Sequence, residues 1–187
     1  MKKLLIIITG LPGSGKSYAA EIIMKKFNAA TVHTGDVIRE EIKKRGLEYT
    51  PKTDSFVAHW FHRGGREKLL VKRTWNKVKR SRKKIIIIEG LRSHIQLKYL
   101  EKITKTKPIV ISVIASFEVR AKRELKRGRF GEEGTMEYLK TREKLEKSHG
   151  IMGLMKKSDY RINNTKLTKN QMERRILSLV KKLIKTT

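Results

Sequence analysis

The chain has 187 residues, 38% hydrophobic content and 13 glycines, which suits one domain with an ordinary core. Its 46 basic and 18 acidic residues leave a formal net charge of +28, a field that concentrates polyanions such as phosphate-rich substrates or RNA bound without sequence preference. Only 6% of residues are aromatic, so no stacking platform for single strands is evident, and a basic proteome or solvated helix faces would account for the charge equally. Without cysteine there is no disulfide framework and no thiolate metal site. The apolar runs at Ile85–Ile88 and Ile109–Ile114 are strand-sized, too short to span a membrane.

In chain order, Leu4, Leu5, Ile6, Ile7 and Ile8 read as a buried parallel strand within about Lys3–Thr9. A helix from about Gly15 to Phe27 follows, with Tyr18, Ala19, Ala20, Ile22 and Ile23 at helical spacing. Ala30–His33 is a short second strand leading into a helix from Val37 to about Arg45. Pro51 opens a helical hairpin whose arms carry Phe56, Val57, Trp60 and Phe61, then Leu69, Leu70, Trp75 and Val78, with Gly64-Gly65 between them. Ile85–Glu89 is a third strand. Ser93 and Gln96 fit a capping box that opens the next helix. Pro108–Ala115 is a fourth strand, and Ser116 caps a basic helix through Lys126. Gly128–Gly134 has no apolar periodicity and reads as a flexible lid, followed by a helix over Met136–Lys147 and a turn around Ile151–Met155. Tyr160-Arg161-Ile162 is an edge strand. Thr168 and Gln171 form a second capping box, opening a terminal helix with Met172, Ile176, Leu179, Val180 and Leu183 on one face.

Strands alternating with helices predict a three-layer α/β/α fold with a parallel sheet of about five strands. The expected organisation is a single domain over 1–187, a helical region over 34–82 and a lid over 127–142. Ligands of such sheets bind beyond the carboxyl ends of the strands, so the residues just after each strand should meet in one crevice.

Those residues carry the chemistry. Gly10-Leu11-Pro12-Gly13-Ser14-Gly15-Lys16-Ser17 is a complete G-x-x-x-x-G-K-S phosphate-binding loop between a strand and a helix. Its glycines let successive N–H groups face one phosphate, Lys16 reaches the β- and γ-phosphates, and Ser17 offers a hydroxyl to Mg²⁺. This predicts a nucleoside triphosphate site, with ATP as donor. A cleaved N-terminal signal would destroy it, so a cytoplasmic location is expected. Tyr18 stands where a dinucleotide fingerprint needs its third glycine. After the second strand, Thr34-Gly35-Asp36-x-x-Arg39 suits a monophosphate at a helix N-terminus, with Thr34 or Asp36 equally able to serve as a plain helix cap. After the third, Glu89 is placed to hold Mg²⁺ directly or through water, while Gly90, Arg92 and Gln96 form a second binding segment. Arg92 and Gln96, four apart, would share a helix face. Arg123, Arg127, Arg129 and Arg142 flank or occupy the lid, where arginines stabilise a transferring phosphoryl group and closure excludes water. His59 and His62 are spaced like a metal pair but lack an evident third ligand, and read as partly buried or stacking side chains.

The loop, T-G-D-x-x-R and E-G-x-R-x-x-x-Q together resemble the adenylate kinase branch of the nucleoside monophosphate kinases. Glu89 replaces the aspartate usual there, and one residue before the arginine is missing. E-G-L-R-S, K-S-H-G-I-M-G-L-M and D-Y-R-I-N-N are closer to an archaeal adenylate kinase-related group, and the last segment is also similar to dephospho-CoA kinases. The resemblance implies that Thr34, Asp36, Arg39, Gly90, Arg92 and Gln96 hold AMP. It implies that Asn163 or Asn164 contacts the adenine of ATP, and that lid arginines engage the phosphates. It leaves dephospho-CoA as another acceptor, and an RNA- or ribosome-associated nucleotide-binding protein as another class.

Overall fold

The computed structural model describes residues 3–128 and 135–186. Five parallel strands, β1 (Leu4–Thr9), β2 (Ala30–His33), β3 (Ile85–Glu89), β4 (Ile109–Ile114) and β5 (Tyr160–Asn163), lie in the order β2-β3-β1-β4-β5. β1 is central, with Leu4 opposite Ile85 and Ile6 opposite Ile109. Nine helices among the described residues connect and cover them: α1 (Lys16–Phe27), α2 (Thr34–Lys44), α3 (Pro51–Phe61), α4 (Glu67–Val78), α5 (His94–Thr104), α6 (Phe117–Arg127), α7 (Met136–Ser148), α8 (Ile151–Lys156) and α9 (Lys169–Lys185).

The unbroken isoleucine runs follow from burial on both faces of the sheet. Leu4, Ile6, Ile8, Ile85 and Ile87 point to one layer, where they meet Ala19, Ile23, Ile176 and Val180 of α1 and α9. Leu5, Ile7, Ile86 and Ile88 point to the other, packing with Val71, Leu100 and Leu154 of α4, α5 and α8. The period-2 alternation of each strand thus assigns its side chains to two helix layers, giving the three-layer P-loop kinase fold. Among the described residues no helix is long and apolar enough to cross a membrane.

The expected elements form, with three local differences. α2 begins at Thr34, directly after β2, because the His33 N–H donates to Asp36 Oδ2 at 3.3 Å and closes the first turn early. The stretch around Ile151 folds as the helix α8, with Ile151, Leu154 and Met155 buried. Ser93 caps α5 by accepting the Gln96 N–H at 3.2 Å, but the Gln96 carbonyl accepts the Arg92 N–H at 2.6 Å, so the box is not reciprocal. Arg92 therefore precedes the helix, and the two residues do not share a helix face. Of the expected lid, residues 129–134 lie outside the described residues.

The helices α2, α3 and α4 enclose a small core of their own: Val37, Ile38, Ile42, Val57, Phe61 and Leu70, packed against Trp60. Thr50 caps α3 through the Thr53 N–H, and Pro51 at the first helical position fixes its entry. Phe61 is fully buried at the centre of this cluster. Phe61→Ala should destabilise the protein by about 3–5 kcal/mol in urea titrations.

Candidate active site

The phosphate-binding loop leaves β1 and enters α1. Gly13 adopts φ +76°, and a Cβ there would lie 2.4 Å from the Arg120 carbonyl oxygen, so only glycine fits. The loop's outward carbonyls are bonded from behind. Arg120 donates to the Pro12 oxygen at 3.3 Å, Arg123 to those of Gly13 and Ser14 at 3.3 and 3.5 Å, and Asn164 Nδ2 to that of Ser14 at 2.8 Å. Burial holds the Lys16 ammonium below its ordinary value, against the opposing pull of the Glu89 carboxylate.

Glu89 ends β3 beside the loop and is buried. The Ser17 hydroxyl donates to Glu89 Oε1 at 2.7 Å, and His33 Nδ1 lies 2.9 Å from Oε2. Burial alone would raise the Glu89 pKa, but the His33 hydrogen bond and the Lys16 charge outweigh it and hold the carboxyl below its ordinary range. The same bond raises His33. Sequence reasoning missed His33; its place at the carboxyl end of β2, opposite Glu89 in the sheet register, is the signal that would have found it.

A cleft of about 600 Å³ opens from the loop toward α2 and α3, lined by Lys16, Ser17, His33, Thr34, Gly35, Asp36, Arg39, Glu89, Gly90 and Arg92. Gly90 at φ +95° brings its backbone against Thr34, whose hydroxyl donates to the Gly90 carbonyl at 3.0 Å. Arg39 is paired with Asp36 at 2.5 Å and half-exposed. Arg92 binds Glu146 with both arms of its guanidinium, Nη2 to Oε1 at 2.9 Å, and also donates to the Gly90 carbonyl at 2.8 Å. Arg142 meets Asp54 at 2.9 Å. These two arginines and their carboxylates line the same cleft. Burial would raise Glu146, yet the Arg92 and Arg142 charges bring its pKa down to about 2. Asp54 and Glu146, both buried, carried no local sequence signal.

A second cleft of about 550 Å³ lies on the other side of the loop, lined by Gly13, Gly15, Tyr18, Arg123, Asn164, Leu167 and Met172. The two clefts share Lys16, Ser17, Glu124 and Arg127. Arg127 ends α6 with its side chain 58% exposed and a loose contact to Glu124 at 3.8 Å. Arg123, expected to act on phosphates, instead bonds the loop's carbonyls and that of Asn164 at 3.0 Å. Arg129 lies outside the described residues.

Two expectations do not fit the geometry. Gln96 is fully buried and lines neither cleft, because its amide is taken up by Arg92 and by His62 Nε2 at 3.0 Å. Asn163 is the outward-facing end of β5, and its Oδ1 accepts the Thr165 N–H at 3.0 Å; Asn164 is the one that turns inward. His62 stacks on His149, the C-cap of α7, with centroids 4.0 Å apart and 7° from parallel, and His59 lies tilted against His149 with its Nδ1 3.3 Å from His149 Nε2. Among the described residues no group of three or more His, Cys, Asp or Glu could hold a metal ion.

A family model described as "AAA domain" matches residues 6–145. A UPF0200 protein of Methanocaldococcus jannaschii is 37% identical over 87% of this chain and 82% of its own length. One of Pyrococcus horikoshii is 31% identical over 97% and 98%. The chain belongs to the UPF0200 family. Among solved structures, shikimate kinase from Acinetobacter baumannii in complex with shikimate superposes with a TM-score of 0.56 at 17% identity, covering 95% of this chain and 93% of that one. That likeness is one of fold.

P-loop kinase folds commonly work on a magnesium–nucleotide complex. The oxygen pair of Ser17 and Glu89 beside the loop fits such an ion, since Mg²⁺ takes one or two protein oxygens and fills its shell with water and phosphate.

The His33–Glu89 pair makes the site pH-dependent. Folding raises His33 above 6.5 and lowers Glu89 below 4.5. The pair therefore stabilises fully between those values, and its contribution is lost as pH rises through the folded His33 pKa or falls through that of Glu89. NMR titration should place His33 above 6.5, and Glu89→Gln should bring it down. His62 and His149 behave oppositely, since burial, followed by the Arg92 charge, pushes them down to about 3 and about 4. Below pH 6.5 the unfolded chain takes up protons that these folded rings refuse, so stability should fall with acid. Urea midpoints between about pH 7 and 5 should show that slope, and His62→Gln should flatten it.

Proposed function

We propose that the protein transfers the γ-phosphoryl group of ATP to a nucleoside monophosphate, with AMP the favoured acceptor. The observation that carries this reading is the meeting of two clefts at Lys16, Ser17, Glu124 and Arg127. One cleft borders the nucleoside side of the loop, with Asn164, Leu167 and Met172 as its walls. The other holds Arg39, Arg92 and Arg142 besides the shared Arg127. A donor in the first and an acceptor in the second would face each other across the loop, as in-line displacement requires.

In this reading the loop amides from Gly13 to Ser17 cradle the donor phosphates, with Lys16 spanning the β- and γ-oxygens. Magnesium, when bound by Ser17 and Glu89, neutralises charge on those oxygens. Thr34, Arg39 and Arg92 orient the acceptor phosphate, Asp36 and Gly90 hold their geometry, and Arg142 stands behind. Arg127, exposed at the junction, neutralises the group in transfer, while Arg120 and Arg123 keep the loop in shape. The low Lys16 pKa matches an ammonium awaiting an anion, because bound phosphate would restore the charge lost to burial.

A coupled assay of Mg·ATP against a panel of monophosphates and dephospho-CoA tests the acceptor. AMP should be turned over fastest, and Lys16→Ala should abolish turnover. Arg39→Ala should weaken AMP binding by about 1.5–3 kcal/mol in calorimetry while leaving ATP binding unchanged. Preference for dephospho-CoA would displace AMP, and near-normal turnover by Lys16→Ala would overturn the reading altogether.

A further inference from the structure

In a parallel sheet every segment that leads into a strand arrives at the same edge, here the one opposite the clefts. That edge is almost entirely basic. The approach to β3 carries Lys79, Arg80, Arg82, Lys83 and Lys84, all exposed. The approach to β4 carries exposed Lys102, Lys105 and Lys107, and that to β5 carries exposed Lys156 and Lys157. α1 ends there with Lys25 and Lys26, and α9 returns to it with Lys181, Lys182 and Lys185. Across 79–84, 102–108, 156–159 and 181–186 the sole acid is Asp159, whose carboxylate is taken by the Val110 N–H at 2.8 Å.

Elsewhere buried and half-buried acids are paired with cations. Glu41, Glu89, Glu143 and Glu146 bind arginines, lysine or histidine close to the clefts or the helical insert. At the basic edge, ion pairs among the described residues reach Lys25 and Lys26 and stop there. Helix dipoles favour cations in a last helical turn, which explains Lys25, Lys26 and Lys102. They do not explain Arg82, Lys83, Lys84 or Lys107, which lie beyond helix ends. Like charges gathered at one end repel each other and work against the compact state, so this surface opposes folding unless a polyanion covers it.

We propose that this edge binds the backbone of double-helical RNA. Five strands about 4.8 Å apart span roughly 20 Å, and the flanking helices widen the face further. A duplex laid across that span presents on the order of ten phosphate charges. Among the described residues the face is made of the loops before β3, β4 and β5 and the ends of α1 and α9, whereas reading the major groove of B-form DNA takes a helix or ribbon laid into it. A blunt basic face suits the wide, shallow minor groove of an A-form helix, read by shape, phosphate and 2′-hydroxyl contacts. Residues 79–84, 102–108, 156–159 and 181–186 include no aromatic side chain on which a single strand could stack. The clefts lie about 20 Å away at the other ends of the strands, so RNA and nucleotide occupy separate sites.

Fluorescence anisotropy of the full chain with a labelled RNA duplex of about 20 base pairs tests this. Affinity should fall about a thousandfold between roughly 50 and 200 mM salt, as counterions are no longer released favourably. Lys84→Gln/Lys107→Gln/Lys157→Gln should lower affinity at least about tenfold, each single change reducing the salt slope by about one. It should leave phosphoryl transfer unchanged and should not lower the melting temperature, since it relieves like-charge repulsion. Lys52→Gln/Lys68→Gln/Lys140→Gln removes the same charge from exposed positions on α3, α4 and α7, and should change RNA affinity less than about twofold. Equal losses in the two triple variants would show a response to net charge alone and overturn the site. If the first triple variant melts early, the single changes decide the same question. Equal affinity for a DNA duplex of the same sequence would overturn the assignment to RNA, and no binding at about 150 mM salt would overturn the proposal.

Discussion

A peptide group is planar, so a loop that turns successive N–H groups toward one anion must turn its carbonyls the other way. The phosphate-binding loop exists only because those carbonyls find donors behind it. Arg120, Arg123 and Asn164 supply them, from the start of α6 and the end of β5. A carbonyl that lost its donor there would cost about 1–3 kcal/mol. The loop's shape therefore depends on β4 and β5 lying beside β1 in the observed register, where the Asn164 N–H also donates to the Ile114 carbonyl at 2.7 Å. α7 extends the brace, since Glu143 holds the far side of the Arg120 guanidinium at 2.6 Å.

This dependence explains which parts of the molecule were legible in the sequence. Strands buried on both faces leave continuous apolar runs, and the loop's glycines are forced by steric contact, so both are written locally. Glu89 follows from its strand-end position alone. Arg92 and Gln96 misled because a spacing of four implies a shared face only inside a helix, and Ser93 starts the helix one residue too late for that. The paired asparagines were ambiguous until β5 was placed, because strand alternation decides that Asn163 faces out. Asp54, Glu143 and Glu146 look like solvated helix charges, and only partners distant in sequence bury them. Arg123 sits on the right helix at the right turn, but a string of residues cannot tell a guanidinium that bonds a substrate from one that bonds the loop beneath it.

The charge distribution adds a constraint that composition hides. A net of +28 suggests a cleft rich in free cations, yet the cleft's buried arginines are each matched by a carboxylate. The opposite edge of the sheet instead gathers exposed lysines and arginines with a single acid, Asp159, among them. Screening reduces the reach of that field to about 8 Å at physiological salt. It therefore does little to fill clefts roughly 20 Å away, and nucleotide affinity has to come from the loop and the paired arginines themselves.

In the proposed reading, pairing also orders the events at the acceptor cleft. Arg92 and Arg142 are nearly buried, at 12% and 13% side-chain exposure, and bound to Glu146 and Asp54. Stripping one partner from a buried ion pair costs about 3–5 kcal/mol. An arriving phosphate gains from these guanidiniums only by sharing them with the carboxylates or by exchanging oxygen for oxygen as α7 yields. Arg39 stands differently: its pair with Asp36 is 44% and 39% exposed, and such surface pairs contribute about 0–1 kcal/mol. Its guanidinium, held also by Tyr49, gives up only these half-exposed contacts to turn to a new anion. A phosphate entering from solvent therefore meets Arg39 first and the buried arginines second. Because Glu143 and Glu146 lie on one helix, any yielding of α7 at Arg92 bears directly on Arg120 and so on the phosphate-binding loop that Arg120 braces.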